Sequence, residues 1–120
     1  MSRRLCFALD FVADAALIAE YERLHAPGMV WPEVMEDLSA RGVEEMEIWR
    51  VEDRGFMIAQ VSDDYPRPRA EAVQEVIDCW EALMWQFQKA LPTAQAGEKW
   101  LEMKRLFSTT EQTGARDGAR

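Results

Sequence analysis

The chain has 120 residues, 48% hydrophobic and 30% charged, with a formal net charge of −8. That length suits one domain built on one core, and the acidic balance excludes a nucleic-acid partner, whose phosphates need a basic face. No apolar run reaches the roughly 20 residues that span a bilayer, so no membrane partner is expected.

The opening M-S-R-R is basic but runs into an alternating segment that carries Asp10, unlike the apolar stretch of a secretory leader. Cys6 and Cys79 both sit inside apolar patterns, with no CxxC or Cys/His spacing. The expectation is buried free thiols in a reducing cytoplasm, and no metal site.

Leu5, Phe7, Leu9 and Phe11 alternate with Cys6, Ala8 and Asp10, a period of two over residues 4–11 that predicts a β-strand. Asp14 then suits the N-cap of a helix in which Leu17, Tyr21, Leu24 and His25 share a face. Ala26-Pro27-Gly28 ends that helix, because the residue before proline avoids the α region and glycine tolerates the turn. Pro32 and Glu33 suit the first turn of a second helix, closed by Gly42. Residues 43–51 read as a second strand, with Met46 and Ile48 on one face and Glu45, Glu47 and Trp49 on the other. A turn at Glu52 to Gly55 leads to a returning strand from Phe56 to Val61, and a proline-containing loop follows from Asp63 to Pro68.

The third helix is expected from about Arg69 to Ala90. Val73, Val76, Ile77, Trp80, Leu83, Met84, Phe87 and Leu91 form its apolar stripe, all within roughly 60° of Trp80 at about 100° per residue. Trp85 falls about 140° away, so it must meet a ligand or a partner subunit. After Pro92, the run W-L-E-M-K-R-L-F reads as the last strand, and residues 108–120 as a disordered tail. The resulting order, β-α-β-β-α-β, predicts an α+β, ferredoxin-like sandwich with helices on one sheet face. The other face, carrying Ala8, Asp10, Trp49 and either Phe56 with Ile58 or Met57 with Ala59, is apolar enough to predict a homodimer packed sheet to sheet.

The one histidine, His25, fits two readings. It is either a core histidine with satisfied ring nitrogens or a proton carrier, since its ordinary pKa lies near 6.5. Tyr21, one turn earlier, offers a hydroxyl beside it. Trp31 and Trp85 suit stacking on a sugar ring, with Asp10, Glu33 or Glu47 accepting from its hydroxyls; each carboxylate also fits a solvated surface charge. One histidine and scattered acids give no metal cluster, and no serine or cysteine has a base near it in sequence.

The segments A-L-D, E-Y-E-R-L-H-A-P-G-M-V-W-P-E-V, G-V-E-E-M-E-I-W-R, C-W-E-A-L-M-W-Q-F-Q-K-A-L-P and G-E-K-W-L-E-M-K-R-L-F resemble the L-rhamnose mutarotase family, most closely its L-fucose branch, over residues 4–107. The resemblance implies a dimeric α/β barrel over residues 1–107. It also implies an enzyme without cofactors that interconverts the α and β anomers of a 6-deoxy-L-sugar, L-fucose or L-rhamnose. It further implies that His25 is the proton donor and that Tyr21 contacts the sugar. A substrate-binding aromatic pair maps onto Met84 and Trp85, and a family tyrosine maps onto Met46, so two family aromatics are methionines here. A non-catalytic sugar-binding module of the same fold is the alternative.

Overall fold

The computed structural model describes residues 2–115. Strand β1 (Ser2–Phe11) is followed by helices α1 (Ala15–Leu24) and α2 (Pro32–Arg41) and then by the hairpin β2 (Val43–Val51) and β3 (Arg54–Ser62). A 3-10 turn (Glu71–Val73) leads into α3 (Gln74–Met84), two short strands β4 (Gln88–Lys89) and β5 (Leu101–Glu102), and helix α4 (Thr109–Ala115). The sheet runs β2-β3-β1-β4, with β5 also on β1, and every pairing is antiparallel. This is the ferredoxin-like order expected from the sequence. Among the described residues no helix is long and apolar enough to cross a membrane.

Local chemistry sets the helix ends. Asp14 caps α1, its carboxylate accepting from the Leu17 N–H at 3.0 Å. Pro32 opens α2, and Gly42 closes it at φ +110°, a left-handed conformation that costs glycine little.

Alternation along the strands then sorts the two faces. Leu9 and Phe11 of β1 join Tyr21, Val34, Ile77, Trp80, Met84 and Phe87 in the core between sheet and helices. Register places Met57 opposite Ile48 and Ala59 opposite Met46 on that inner side. A bulge at Glu44 shifts the register between Val43 and Glu45, which lets Val43 share the inner face with Met46 despite odd spacing. On the outer face, Phe56 and Ile58 stand opposite Trp49 and Glu47, settling which pair lies there.

Several expectations are corrected. The third helix stops at Met84 rather than Ala90, because Gln86 and Phe87 bond back three residues, to Leu83 and Met84. The Phe87 carbonyl then accepts from Val12, and Gln88–Lys89 pairs with β1. The apolar stripe survives the change, since the tight turn still buries Phe87. The last strand is two residues long, although the Met103 N–H still reaches the Cys6 carbonyl at 2.7 Å. Cys79 is exposed and Cys6 half-buried; both are free, and Cys79 lies beside Asp78 on the outward side of α3. Within the segment read as a tail, Thr109–Ala115 is helical, and residues 116–120 lie outside the described residues.

Gly55 has a specific role in this core. It stands opposite Leu9, and a Cβ there would lie 2.6 Å from Cε2 of the buried Phe11 ring. Its bare backbone is the floor on which Phe11 rests, and Phe11 in turn packs against Tyr21 with ring centroids 4.7 Å apart. Gly55→Ala is therefore expected to overpack the core and lower the unfolding free energy by about 1–3 kcal/mol in urea denaturation. A change below about 0.5 kcal/mol would contradict this contact.

Candidate active site

The A-P-G break after α1 determines how His25 is held. An unbroken helix would bond the His25 N–H to the Tyr21 carbonyl, but here that N–H reaches the Glu22 carbonyl instead, at 3.2 Å. The Tyr21 carbonyl, one of the orphan acceptors at the helix end, is taken by the His25 ring, with Nδ1 2.8 Å away. A carbonyl oxygen only accepts, so Nδ1 carries the proton. The neutral ring is thereby fixed as the Nδ1–H tautomer, and Nε2 keeps its lone pair for chemistry.

Packing fixes the ring plane. His25 stacks on Tyr21 at 4.1 Å between centroids and 29° between planes. It meets Trp80 edge-on at 5.6 Å, and Trp80 meets Trp31 at 5.1 Å. Phe11, Tyr21, His25, Trp80 and Trp31 thus form a continuous aromatic chain through the core. Burial lowers the pKa of His25 from its ordinary 6.5 and outweighs the backbone hydrogen bond, which acts in the opposite direction. The imidazole is therefore neutral at pH 7.

Tyr21 is 5% exposed, and burial pushes its phenol up to about 12, so it stays protonated. Its oxygen accepts from Gln88 Nε2 at 3.3 Å, which leaves the phenolic proton free to be donated.

Both aromatic residues line a cavity of about 560 Å3 between the helices and the inner sheet face. That volume lies within the range of about 300–1,000 Å3 usual for small-molecule sites. Met46, Ile48 and Met57 supply its sheet side, and Val34, Trp80 and Met84 its helical side. Gln88, Lys99, Glu81 and Trp100 add polar and aromatic groups. A second hollow, of about 320 Å3, also reaches Tyr21 and His25, from the side of Ile48, Trp49 and Arg50.

Of the residues singled out from the sequence, His25, Tyr21, Met46 and Met84 come together in the larger cavity. The other five lie elsewhere, Glu47 among them on the outer sheet face, where it accepts from the Trp49 indole N–H at 3.1 Å. Asp10 sits on the outer sheet face opposite Arg54 and pairs with its guanidinium at 2.7 Å. Glu33 is exposed in the first turn of α2. Trp31 packs behind the cavity on Trp80. Trp85, 41% exposed, lies under the Lys99 ammonium at 5.0 Å, so an intrachain cation meets it. That same ammonium bonds Glu81 at 2.6 Å on the cavity wall. Gln88 was not foreseen, because its segment reads as helix; no local signal marks Lys99. Among the described residues no group of three or more His, Cys, Asp or Glu side chains is arranged to hold a metal.

The profile of the L-rhamnose mutarotase family matches residues 4–109. The chain belongs to the L-rhamnose mutarotase family. A protein of Xanthomonas campestris named L-fucose mutarotase is 48% identical over 98% of this chain and 96% of its own length. A Dictyostelium discoideum protein whose name states no activity is 33% identical over 83% of this chain and 84% of its own. The crystal structure of an L-rhamnose mutarotase from Formosa agariphila superposes with a TM-score of 0.64. At 21% identity, covering 88% of this chain and 97% of that one, it establishes the shared fold. In this member of the L-rhamnose mutarotase family, Met46 and Met84 both line the cavity beside His25.

The hydrogen-bond geometry sets an expectation for NMR. Nitrogen shifts of the His25 ring should report a protonated Nδ1 and bare Nε2 at pH 7, with a titration midpoint below 6.5. A midpoint above 6.5, or the opposite tautomer, would contradict the burial and the Tyr21 contact.

Proposed function

We propose that this protein is a cofactor-free aldose mutarotase that interconverts the α and β anomers of a 6-deoxy-L-sugar, L-fucose foremost, with His25 as general acid/base. The observation that carries the reading is the His25 ring, pinned at Nδ1 by a backbone carbonyl and stacked on Tyr21 in the wall of a sugar-sized cavity. The relative named L-fucose mutarotase supports the choice of sugar. No observation favours a non-catalytic binding module.

Mutarotation moves two protons and breaks one bond. Neutral Nε2 of His25 takes the proton of the anomeric hydroxyl as the C1–O5 bond opens, and Tyr21 donates to the ring oxygen, which leaves as a hydroxyl. The aldehyde rotates about C1–C2. The freed hydroxyl attacks the other carbonyl face, returns its proton to Tyr21, and the imidazolium protonates the new anomeric oxygen. The net change is the configuration at C1 alone, with the enzyme restored. The neutral resting imidazole and the protonated phenol match these starting roles.

The same reading places the protein in the cytoplasm as a homodimer. Trp49 and Val51 on the outer sheet side, each 59% exposed, and Leu106 and Phe107 of the C-terminal segment, 88% and 63% exposed, support the dimer. Light scattering on the eluting protein should give twice the chain mass, and a monomer at every concentration would remove this part of the proposal.

Saturation-transfer NMR on L-fucose and L-rhamnose tests the activity. Wild-type protein should accelerate exchange between the anomers above the spontaneous rate, and His25→Ala should lose about 10²–10⁴-fold of that acceleration. Tyr21→Phe keeps the ring stack but removes the donor, for an expected loss of about 10²-fold. Unchanged exchange in His25→Ala would overturn its role, and no exchange with any aldose would overturn the function.

A further inference from the structure

Gln88 lies where the chain leaves α3 and re-enters the sheet, its backbone paired with Phe11 of β1. That pairing puts the side chain on a rigid element beside the Tyr21 hydroxyl and in the wall of the cavity that also holds His25. The residue is 5% exposed. Its Nε2 donates to Tyr21, while its Oε1 is fully buried and has no hydrogen-bond partner among the described residues. A buried acceptor without a donor is costly and uncommon, and it calls for a partner that arrives from the cavity.

We infer that Gln88 is a specificity-determining residue whose amide oxygen accepts a hydrogen bond from one hydroxyl of the sugar, while its amide nitrogen orients the Tyr21 hydroxyl. The inference rests on the mutarotase reading for its substrate class and adds the residue that reads the sugar. The two ends of one amide act together. Because Nε2 occupies an acceptor position on the Tyr21 oxygen, the phenolic proton points elsewhere, toward the substrate. Because Oε1 stands next to it, the pocket presents an acceptor and a donor side by side, matched to the ring oxygen that Tyr21 serves and to a hydroxyl on C2 or C4, one carbon beyond the two that flank that oxygen. A sugar that lacks that hydroxyl, or turns it to the other face of the ring, leaves Oε1 unpaired. Sites built this way discriminate strongly against the analogue without the group.

The test compares wild type and Gln88→Met, which keeps the length of the side chain and removes both amide functions. Anomer exchange is measured on L-fucose and on a panel of its monodeoxy and epimeric analogues. On L-fucose the variant should lose about 10- to 100-fold in kcat/KM. On one analogue, the sugar without the hydroxyl that Oε1 reads, wild type should already show part of that loss, and the variant should add only the share that comes from Tyr21 orientation, at least about fivefold less than its loss on L-fucose. No loss on L-fucose, or the same loss on every sugar, overturns the inference, the latter outcome being that of a purely structural residue. A second measurement needs no variant: the Gln88 side-chain amide resonances of the wild type, followed during titration with L-fucose and the analogues. They should shift with L-fucose and stay in place with the matching analogue. If no sugar moves them, Gln88 does not read the substrate. If L-fucose moves them but no exchange occurs, the mutarotase reading fails while the role of Gln88 in recognition stands.

Discussion

The hydrogen bond from His25 Nδ1 to the Tyr21 carbonyl is the interaction on which the site depends. It exists because α1 is cut short. Ala26-Pro27-Gly28 tightens the last turn, the backbone N–H of His25 turns to Glu22, and the carbonyl it would have used is left for the ring. One local event therefore settles the tautomer, the ring orientation and which ring nitrogen keeps a free lone pair. Tyr21 contributes three times: its carbonyl holds Nδ1, its ring supports the imidazole, and its hydroxyl stands over the cavity beside Gln88.

Around that bond the core and the site are one body. The aromatic chain from Phe11 through Tyr21, His25 and Trp80 to Trp31 joins β1, α1, α3 and the entry to α2. Gly55 provides the space that lets the chain begin, since any side chain there would displace Phe11. Packing at crystal-like density leaves such rings little freedom. That rigidity is what lets a single imidazole, neutral through its own burial, be aimed without a cluster of supporting charges. The ionic pairs nearest to it, Glu81 with Lys99 on the cavity wall and Glu22 with Arg50 near the smaller hollow, are partly exposed and play a lesser part.

Local features were legible in the sequence and long-range ones were not. Alternation marked β1, Asp14 and Pro32 marked helix starts, and Tyr21 and His25 were recognisable as a pair on one face. The apolar stripe through Phe87 has helical spacing and predicts a longer third helix, while a tight turn buries the same residues. A helical reading of this segment conceals Gln88, whose place in the cavity wall comes from pairing with β1 rather than from any neighbour in sequence. Asp10 looked chemically suitable, but strand alternation sends it to the face opposite the cavity, where Arg54 neutralises it. Trp85 lies off the stripe in the sequence pattern, and its cover comes from Lys99 across a loop, a contact no periodicity encodes. Position in the fold, not residue type, separated these cases.

In the proposed mechanism His25 works as a neutral base held in one tautomer, and the measurement that bears on it is the pH dependence of kcat/KM for anomer exchange. That mechanism needs the unprotonated ring, so kcat/KM should fall as pH drops through the His25 pKa, along a single acid limb with a midpoint below 6.5. It should stay level above neutrality, because Tyr21 holds its proton to about 12. A profile that is flat through the His25 titration, or that rises as His25 takes its proton, would contradict the account.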